Sequence, residues 1–177
     1  MKRSIEELVN SINNLLTIKL TDFMTKYKNL LPNYAIIHLH SKLADVFSQI
    51  KDGKEVMIVV DNEGNVRGIL TPMDILVMLR SEGKGIIRTH FGTTYALRGK
   101  KLPPKSLLKL DIVSIMDKHP LVLEDDLDLV EAIERMSNER TNYAVVADSR
   151  GKVLGVISST SIIRVIAEMS KSVFEGV

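Results

Sequence analysis

Two short turns carry the residue types best suited to holding a ligand. Residues 68–74 read Gly68-Ile69-Leu70-Thr71-Pro72-Met73-Asp74, and 87 positions later stands Gly155-Val156-Ile157-Ser158-Ser159-Thr160-Ser161. The hydroxyl is kept, while the final acid becomes Ser161. A hydroxyl at Thr71 can donate to a phosphate oxygen, and a carboxylate at Asp74 can accept both hydrogens of a vicinal diol such as ribose. Each turn leads from a predicted strand into a predicted helix, whose first N–H groups and dipole end favour anions. Pro72 suits a first helical turn, where its missing N–H costs little. Taken alone, a simple helix cap at Thr71 or Asp74 is the better reading, because Thr-x-x-Asp is a short pattern; the repeat context favours a ligand.

Other chemistry is sparse. The chain has no Walker A pattern, no G-x-G-x-x-G and no H-E-x-x-H. His38 and His40 would share one face of an extended segment, which is half of a metal site, but no third ligand is visible. The serine run 158–161 lacks a base and an oxyanion hole, so a polar turn is the better reading than a nucleophile. Enzymatic activity is the least supported class.

The elements that position the turns come in duplicate. Asp61-x-x-Gly64-x-Val66-x-Gly68 aligns without gaps on Asp148-x-x-Gly151-x-Val153-x-Gly155. Upstream, Leu43, Val46, Phe47 and Ile50 have the spacing of one helix face, and Leu129, Ala132, Ile133 and Met136 repeat it. Downstream, Ile75, Leu76 and Leu79 match Ile162, Ile163 and Ile166. Segments 56–60, 66–70, 143–147 and 153–157 are apolar and rich in Val and Ile, as strands. The Asp- and Gly-containing links 61–65 and 148–152 predict hairpins. Each unit alone has a marginal core, so the length suits one compact pseudo-symmetric body.

Composition sets outer limits. With 177 residues, 45% hydrophobic and 26% charged, the chain reads as an ordinary soluble globular protein. No apolar run approaches a membrane span, and the N-terminus lacks a secretory core. The absence of cysteine removes disulfides and thiolate metal sites and makes a cytoplasmic location the default. Ser4 and Glu7 suggest a capping box opening an amphipathic helix through Ile5, Leu8, Val9, Ile12 and Leu16. That helix is expected to pack on the first repeat or on a second subunit rather than on a membrane. Segment 81–110 holds seven Lys or Arg (Lys84, Arg88, Arg98, Lys100, Lys101, Lys105, Lys109) against one acid, Glu82. His90, Phe91 and Tyr95 interleave with them, so nucleic acid could bind there. A solvated linker, or a cation for a small phosphorylated ligand, is favoured because no nucleic-acid motif accompanies the charge.

With these residues in view, the chain closely resembles the cystathionine β-synthase (CBS) domain family, as the tandem pair called a Bateman module. The resemblance covers about 21–80 and 112–168. It rests on the openings Asp22-Phe23-Met24-Thr25 and Ser114-Ile115-Met116-Asp117 and on the G-h-x-[ST]-x-x-D motif, intact in one copy. It implies an α+β fold of two pseudo-symmetric β-α-β-β-α repeats packed sheet to sheet, with an extra N-terminal helix. The expected divisions are helix 1–20, repeat 21–80, basic insert 81–111, repeat 112–168 and tail 169–177.

The resemblance also implies a non-catalytic regulatory sensor that binds an adenosyl ligand (AMP, ADP, ATP or S-adenosylmethionine) between the repeats. Such modules commonly form homodimers and act on a regulated protein, which the sequence does not identify. Carried over residue by residue, Asp74 holds the ribose hydroxyls and Thr71 a phosphate oxygen. Asn33, Ala35, Ile37, Lys54, Glu55 and Ile69 supply the adenine surroundings. In the second copy the matching positions are Asn142, Tyr143, Val156, Ser158 and Ser161, with Arg164 as a phosphate ligand. Ser161 cannot accept two hydroxyls as a carboxylate does, which weakens that copy by roughly ten- to hundredfold. A ligand-independent dimerisation or recruitment module and nucleic-acid binding through 81–110 stand as alternatives.

Overall fold

The computed structural model describes residues 2–80, 86–88, 94–96 and 107–174, with the side chains of 5–79 and 107–171. The chain forms two compact units that do not follow chain order. One unit joins residues 1–32 to 121–177, and the other spans 33–120.

The 33–120 unit is built on a three-stranded sheet, ordered β1 (Tyr34–His38), β2 (Val56–Val60), β3 (Val66–Leu70). β1 and β2 run parallel, with Tyr34 opposite Val56, so a crossover is needed, and helix α3 (Leu43–Lys51) supplies it. β2 is buried along its whole length, which explains its unbroken Val/Met/Ile sequence. β3 returns antiparallel through the 61–65 hairpin and runs into helix α4 (Pro72–Arg80). In the hairpin, Asp61 Oδ1 accepts the N–H groups of Glu63 and Asn65, both at 2.9 Å, and Gly64 takes a φ of 86°. Short strands β4 (Ile86–Arg88) and β5 (Thr94–Ala96) pair antiparallel within the insert. The charged and aromatic side chains singled out in 81–106 lie outside the described residues.

The other unit contains α1 (Lys2–Leu16), α2 (Leu20–Lys26), β6 (Val122–Glu124), α5 (Leu129–Asn138), β7 (Tyr143–Ala147), β8 (Val153–Ser158) and α6 (Ser159–Phe174). Its sheet order β6-β7-β8 repeats the first, with one parallel and one antiparallel pairing. α6 continues to Phe174, into the stretch expected as a tail.

The cores show why the units cross the chain. Phe23 and Leu20, ahead of the first repeat's strands, are buried with Leu123, Leu129, Ile157 and Val165. Ile112, Ile115 and Met116, ahead of the second repeat's strands, are buried with Leu43, Met57, Leu70 and Ile75. Each opening segment thus packs in the unit that holds the other repeat's strands. Full burial of one such side chain contributes about 1.5–3 kcal/mol. Backbone bonds reinforce the exchange, from Leu20 N–H to Leu127 O at 2.9 Å and from Leu43 N–H to Leu110 O at 3.0 Å.

Two expectations about helix starts change. α1 packs against α6, and Leu15 is buried in the same cluster as Leu20, Phe23 and Ile157. It begins at Lys2, so Ser4 lies inside the helix rather than capping it. α3 begins at Leu43, and Asp45, not Ser41, closes its start by accepting the Lys42 N–H at 2.7 Å.

Candidate functional site

Strand direction gathers most of the expected ligand residues of the 33–120 unit at one sheet end. Because β3 is antiparallel to β2, its final Leu70 faces Met57 near the start of β2, whose neighbour is the start of β1. Asn33, at the entrance to β1, accepts the Glu55 N–H on its carbonyl at 2.7 Å. Lys54, half-buried, donates its N–H to Gln49 O at 3.0 Å. Ala35 lies one step into β1, and Ile69 one step back from Leu70. Ile37 is placed differently. It pairs with Val59 further along the sheet and is buried among Leu43 and Val46, so it serves the core.

At the end of β3, Asp74 Oδ2 accepts the Thr71 N–H and the Thr71 Oγ1–H, both at 2.7 Å. The Asp74 N–H donates in return to Thr71 O at 3.1 Å. The cap and the candidate ligand acceptor are therefore one group. Thr71's hydroxyl hydrogen is directed to the carboxylate, which orients Asp74 and leaves that hydrogen unavailable to a phosphate in this arrangement. Asp74 Oδ1 retains acceptor capacity. Burial pushes the Asp74 carboxyl above its ordinary pKa; the Thr71 bonds oppose this and the nearby Asp117 charge adds to it.

Asp117 is the functional candidate that sequence reading passed over. Its N–H and C=O exchange 2.9 Å hydrogen bonds with Ile69, extending the edge of β3. The approach needs Gly68, since a Cβ there would lie 2.6 Å from Asp117 O and 2.7 Å from Met116 Sδ. Asp117 is only 8% exposed, and its Oδ2 is buried without a hydrogen-bond partner among the described residues. The only available signal was an acid following the apolar pair Ile115-Met116.

In the second turn the two serines bond to each other. Ser161 Oγ accepts the Ser158 N–H at 2.9 Å and donates to Ser158 O at 2.7 Å, while the Ser161 N–H reaches Ser158 Oγ at 3.0 Å. Both serines are buried, Ser161 to 1% exposure. Asn142 and Tyr143 do stand at the same sheet end, with Tyr143 opposite Ser158 and Asn142 O accepting the Ser159 N–H at 3.0 Å. Val156 is buried opposite Val145, and Arg164 is exposed on α6. Thr25, which matches Asp117 in sequence, lies exposed on α2 and donates to Thr21 O at 2.8 Å.

Two strand-helix-strand-strand-helix copies with this turn define a recognisable pattern, and the family model for the CBS domain matches residues 20–81 and 111–168. The chain belongs to the CBS domain family. Among curated relatives, this CBS chain is 25% identical over 122 residues to arabinose 5-phosphate isomerase KpsF of Escherichia coli. That match covers 68% of this chain and 31% of the isomerase, so the chain spans less than a third of that relative's length.

Solved structures share the CBS fold at lower identity. The CBS domain of a bacterial CNNM/CorC family Mg2+ transporter superposes with a TM-score of 0.64 at 16% identity, covering 94% of this chain and 85% of that one. The CBS domain pair of MJ0100, solved with 5′-methylthioadenosine and S-adenosyl-L-methionine, gives 0.55 at 19% identity, covering 78% and 96%.

Among the described residues, no cluster of three metal-ligating side chains exists, and His38 and His40 are both exposed. No helix there is long and apolar enough to cross a membrane.

Proposed function

We propose that this chain is a non-catalytic regulatory module whose 33–120 unit binds an adenosyl ligand, drawn from AMP, ADP, ATP and S-adenosylmethionine, at the Thr71–Asp74 turn. The observation that carries the reading is Asp74: a half-buried carboxylate, held by two hydrogen bonds from Thr71, at the sheet end where Asn33, Lys54 and Glu55 converge. A fixed acceptor of this kind suits a ribose diol, because its orientation is set before the ligand arrives. The adenosyl ligands of the MJ0100 pair support the class of ligand. Ligand binding regulates by favouring one conformation of the chain, and only to the extent that the ligand binds that conformation more tightly. In this reading the module is cytoplasmic, forms a homodimer and acts on a separate protein.

Calorimetric titration with the four ligands tests it. Submillimolar binding of at least one, lost in Asp74→Ala, is the expected result; no binding of any ligand to the wild type overturns it. A second reading, ligand-independent assembly, is favoured by the exposed apolar side chains of α4, Met73 at 61% and Leu76 at 58%, and by Ile163 on α6 at 63%. It predicts a stable dimer whose thermal midpoint ignores every adenosyl ligand. Nucleic-acid binding through 81–110 predicts instead a steeply salt-dependent affinity for RNA or DNA.

A further inference from the structure

Asp74 is not the only acid of its turn. Asp117 lies in the same compact unit, tied to Ile69, one residue before the end of β3, by paired 2.9 Å backbone bonds. One carboxylate oxygen, Oδ1, accepts the His119 N–H at 3.0 Å. The other, Oδ2, is buried and has no partner among the described residues. A buried acceptor left unpaired is costly, and native proteins rarely keep one without a water, an ion or a ligand to satisfy it. No ion pair among the described residues engages either carboxyl. The charge of Asp117 is also felt at Asp74, where it opposes ionisation. The other copy has no counterpart: Ser158 and Ser161 are neutral, and Thr25 is exposed on α2.

We propose that Asp117 is a specificity-determining residue of the Thr71–Asp74 turn, favouring adenosyl ligands with a neutral or cationic 5′ group over those bearing phosphates. The proposal rests on the adenosyl reading above. A ribose is smaller than a Debye length of about 8 Å, so the 5′ group of a sugar held by Asp74 stays within the unscreened field of that carboxylate. Asp117 doubles the negative charge there. A phosphate meets two like charges, whereas a thioether meets none and a sulfonium or ammonium is attracted.

The test compares AMP with 5′-methylthioadenosine, which carry the same adenosine, by calorimetry in EDTA so that no divalent cation bridges carboxylate and phosphate. The wild type is expected to bind 5′-methylthioadenosine more tightly. Asp117→Asn, and Asp117→Thr as the residue of the other copy, are expected to shift the affinity ratio toward AMP by about fivefold or more. S-adenosylmethionine is expected to lose affinity in both variants. A wild type that prefers AMP overturns the proposal by itself, without any variant. So does a ratio unchanged within about twofold in a variant that keeps the wild-type circular dichroism. In both cases the adenosyl reading survives. Binding of neither compound to the wild type, with ADP, ATP and S-adenosylmethionine also inert, removes the adenosyl reading and the proposal together.

Discussion

The two strand-to-helix turns start from nearly the same phrase and reach opposite chemical states. At 71–74, a carboxylate takes two hydrogen bonds on one oxygen and keeps the other available, in a half-buried setting. At 158–161, a hydroxyl takes the same backbone N–H and returns its own hydrogen to the same residue's carbonyl, completely buried. The corresponding backbone N–H is bonded in both. What differs is what remains afterwards. A carboxylate keeps a whole oxygen beyond what a cap requires, whereas the serine hydroxyl has given away its hydrogen and is buried to 1% exposure. Replacing the acid by Ser161 therefore does more than weaken a ligand contact. It converts a turn with spare valence into a structural one.

The largest expected contrast comes from deleting each side chain in turn. Asp74→Ala removes a hydrogen-bonded charge from the ligand, which is worth about 1.5–3 kcal/mol and so about ten- to hundredfold in affinity. Ser161→Ala should leave adenosyl affinity unchanged. It strands the buried Ser158 N–H and lowers stability by about 1–3 kcal/mol, read as a drop in thermal midpoint. Titration and thermal melts on both variants check the crossover. If Ser161→Ala weakens ligand binding as much as Asp74→Ala does, the two turns are not different in kind.

Gly68→Ala probes what sets the first turn apart in space. A Cβ at position 68 falls 2.6 Å from Asp117 O, so either the 69–117 backbone bridge or Met116 must move. The expected cost is about 1–3 kcal/mol in denaturant unfolding. The loss of the bridge should also alter the AMP to 5′-methylthioadenosine preference. Unchanged stability would falsify the close approach.

The hairpins and helix faces were legible because they are local. Asp61 and Gly64, or Asp148 and Gly151, fix a turn with contacts inside a few residues, and Leu43, Val46 and Phe47 lie on one helix stripe whatever they pack on. The partner of that stripe is a non-local choice, and there reading along the chain fell short. Phe23 looks the same in sequence whether it packs on residues that follow it directly or on Leu123 and Val165. Asp117 was visible only as the last residue of the second opening, and its place at the first turn was not, since that rests on a bridge to Ile69, far away in sequence. Thr71 and Asp74 could be read as a pair from spacing alone. The direction of the Thr71 hydroxyl, toward Asp74 and not toward solvent, could not.

Acid should separate the turns next. Burial raises the Asp74 pKa, with Asp117 adding to it, so the charged form is the one disfavoured by folding. Ligand donors require that charged form, so affinity increases with pH as Asp74 ionises and is lost on acidification. The loss should begin at a higher pH than the ordinary carboxylate value of 3.8 would give. Titration of the affinity between neutral and mildly acidic pH checks this, with Asp74→Asn giving a flatter, weaker profile. Ser158 and Ser161 have no titrating group, so no such dependence arises from their turn.

The smallest contrast lies in the two hairpins that precede the turns. Asp61 and Asp148 hold the same loop geometry, yet Arg67 Nε reaches Asp61 Oδ2 at 2.7 Å while Arg150 stands 3.6 Å from Asp148. Desolvation pushes Asp61 upward, but hydrogen bonds from Asn65, Arg67 and Glu63 outweigh it and hold the group at about 2, against 3.8 unperturbed. Asp148 is lowered too, chiefly by the Lys152 N–H. A carboxyl depressed in the folded state stabilises the protein above its unfolded pKa, and that stabilisation fades as pH falls through the folded value. Asp61→Asn should therefore lower the thermal midpoint at neutral pH more than Asp148→Asn, with the difference between Asp61→Asn and wild type shrinking from pH 3.8 toward about 2. Both side chains are partly exposed and their basic partners largely so, so the shifts should be small and should diminish with added salt. Equal midpoints for the two variants at neutral pH would mean that the Arg67 contact contributes nothing beyond the loop geometry the hairpins share.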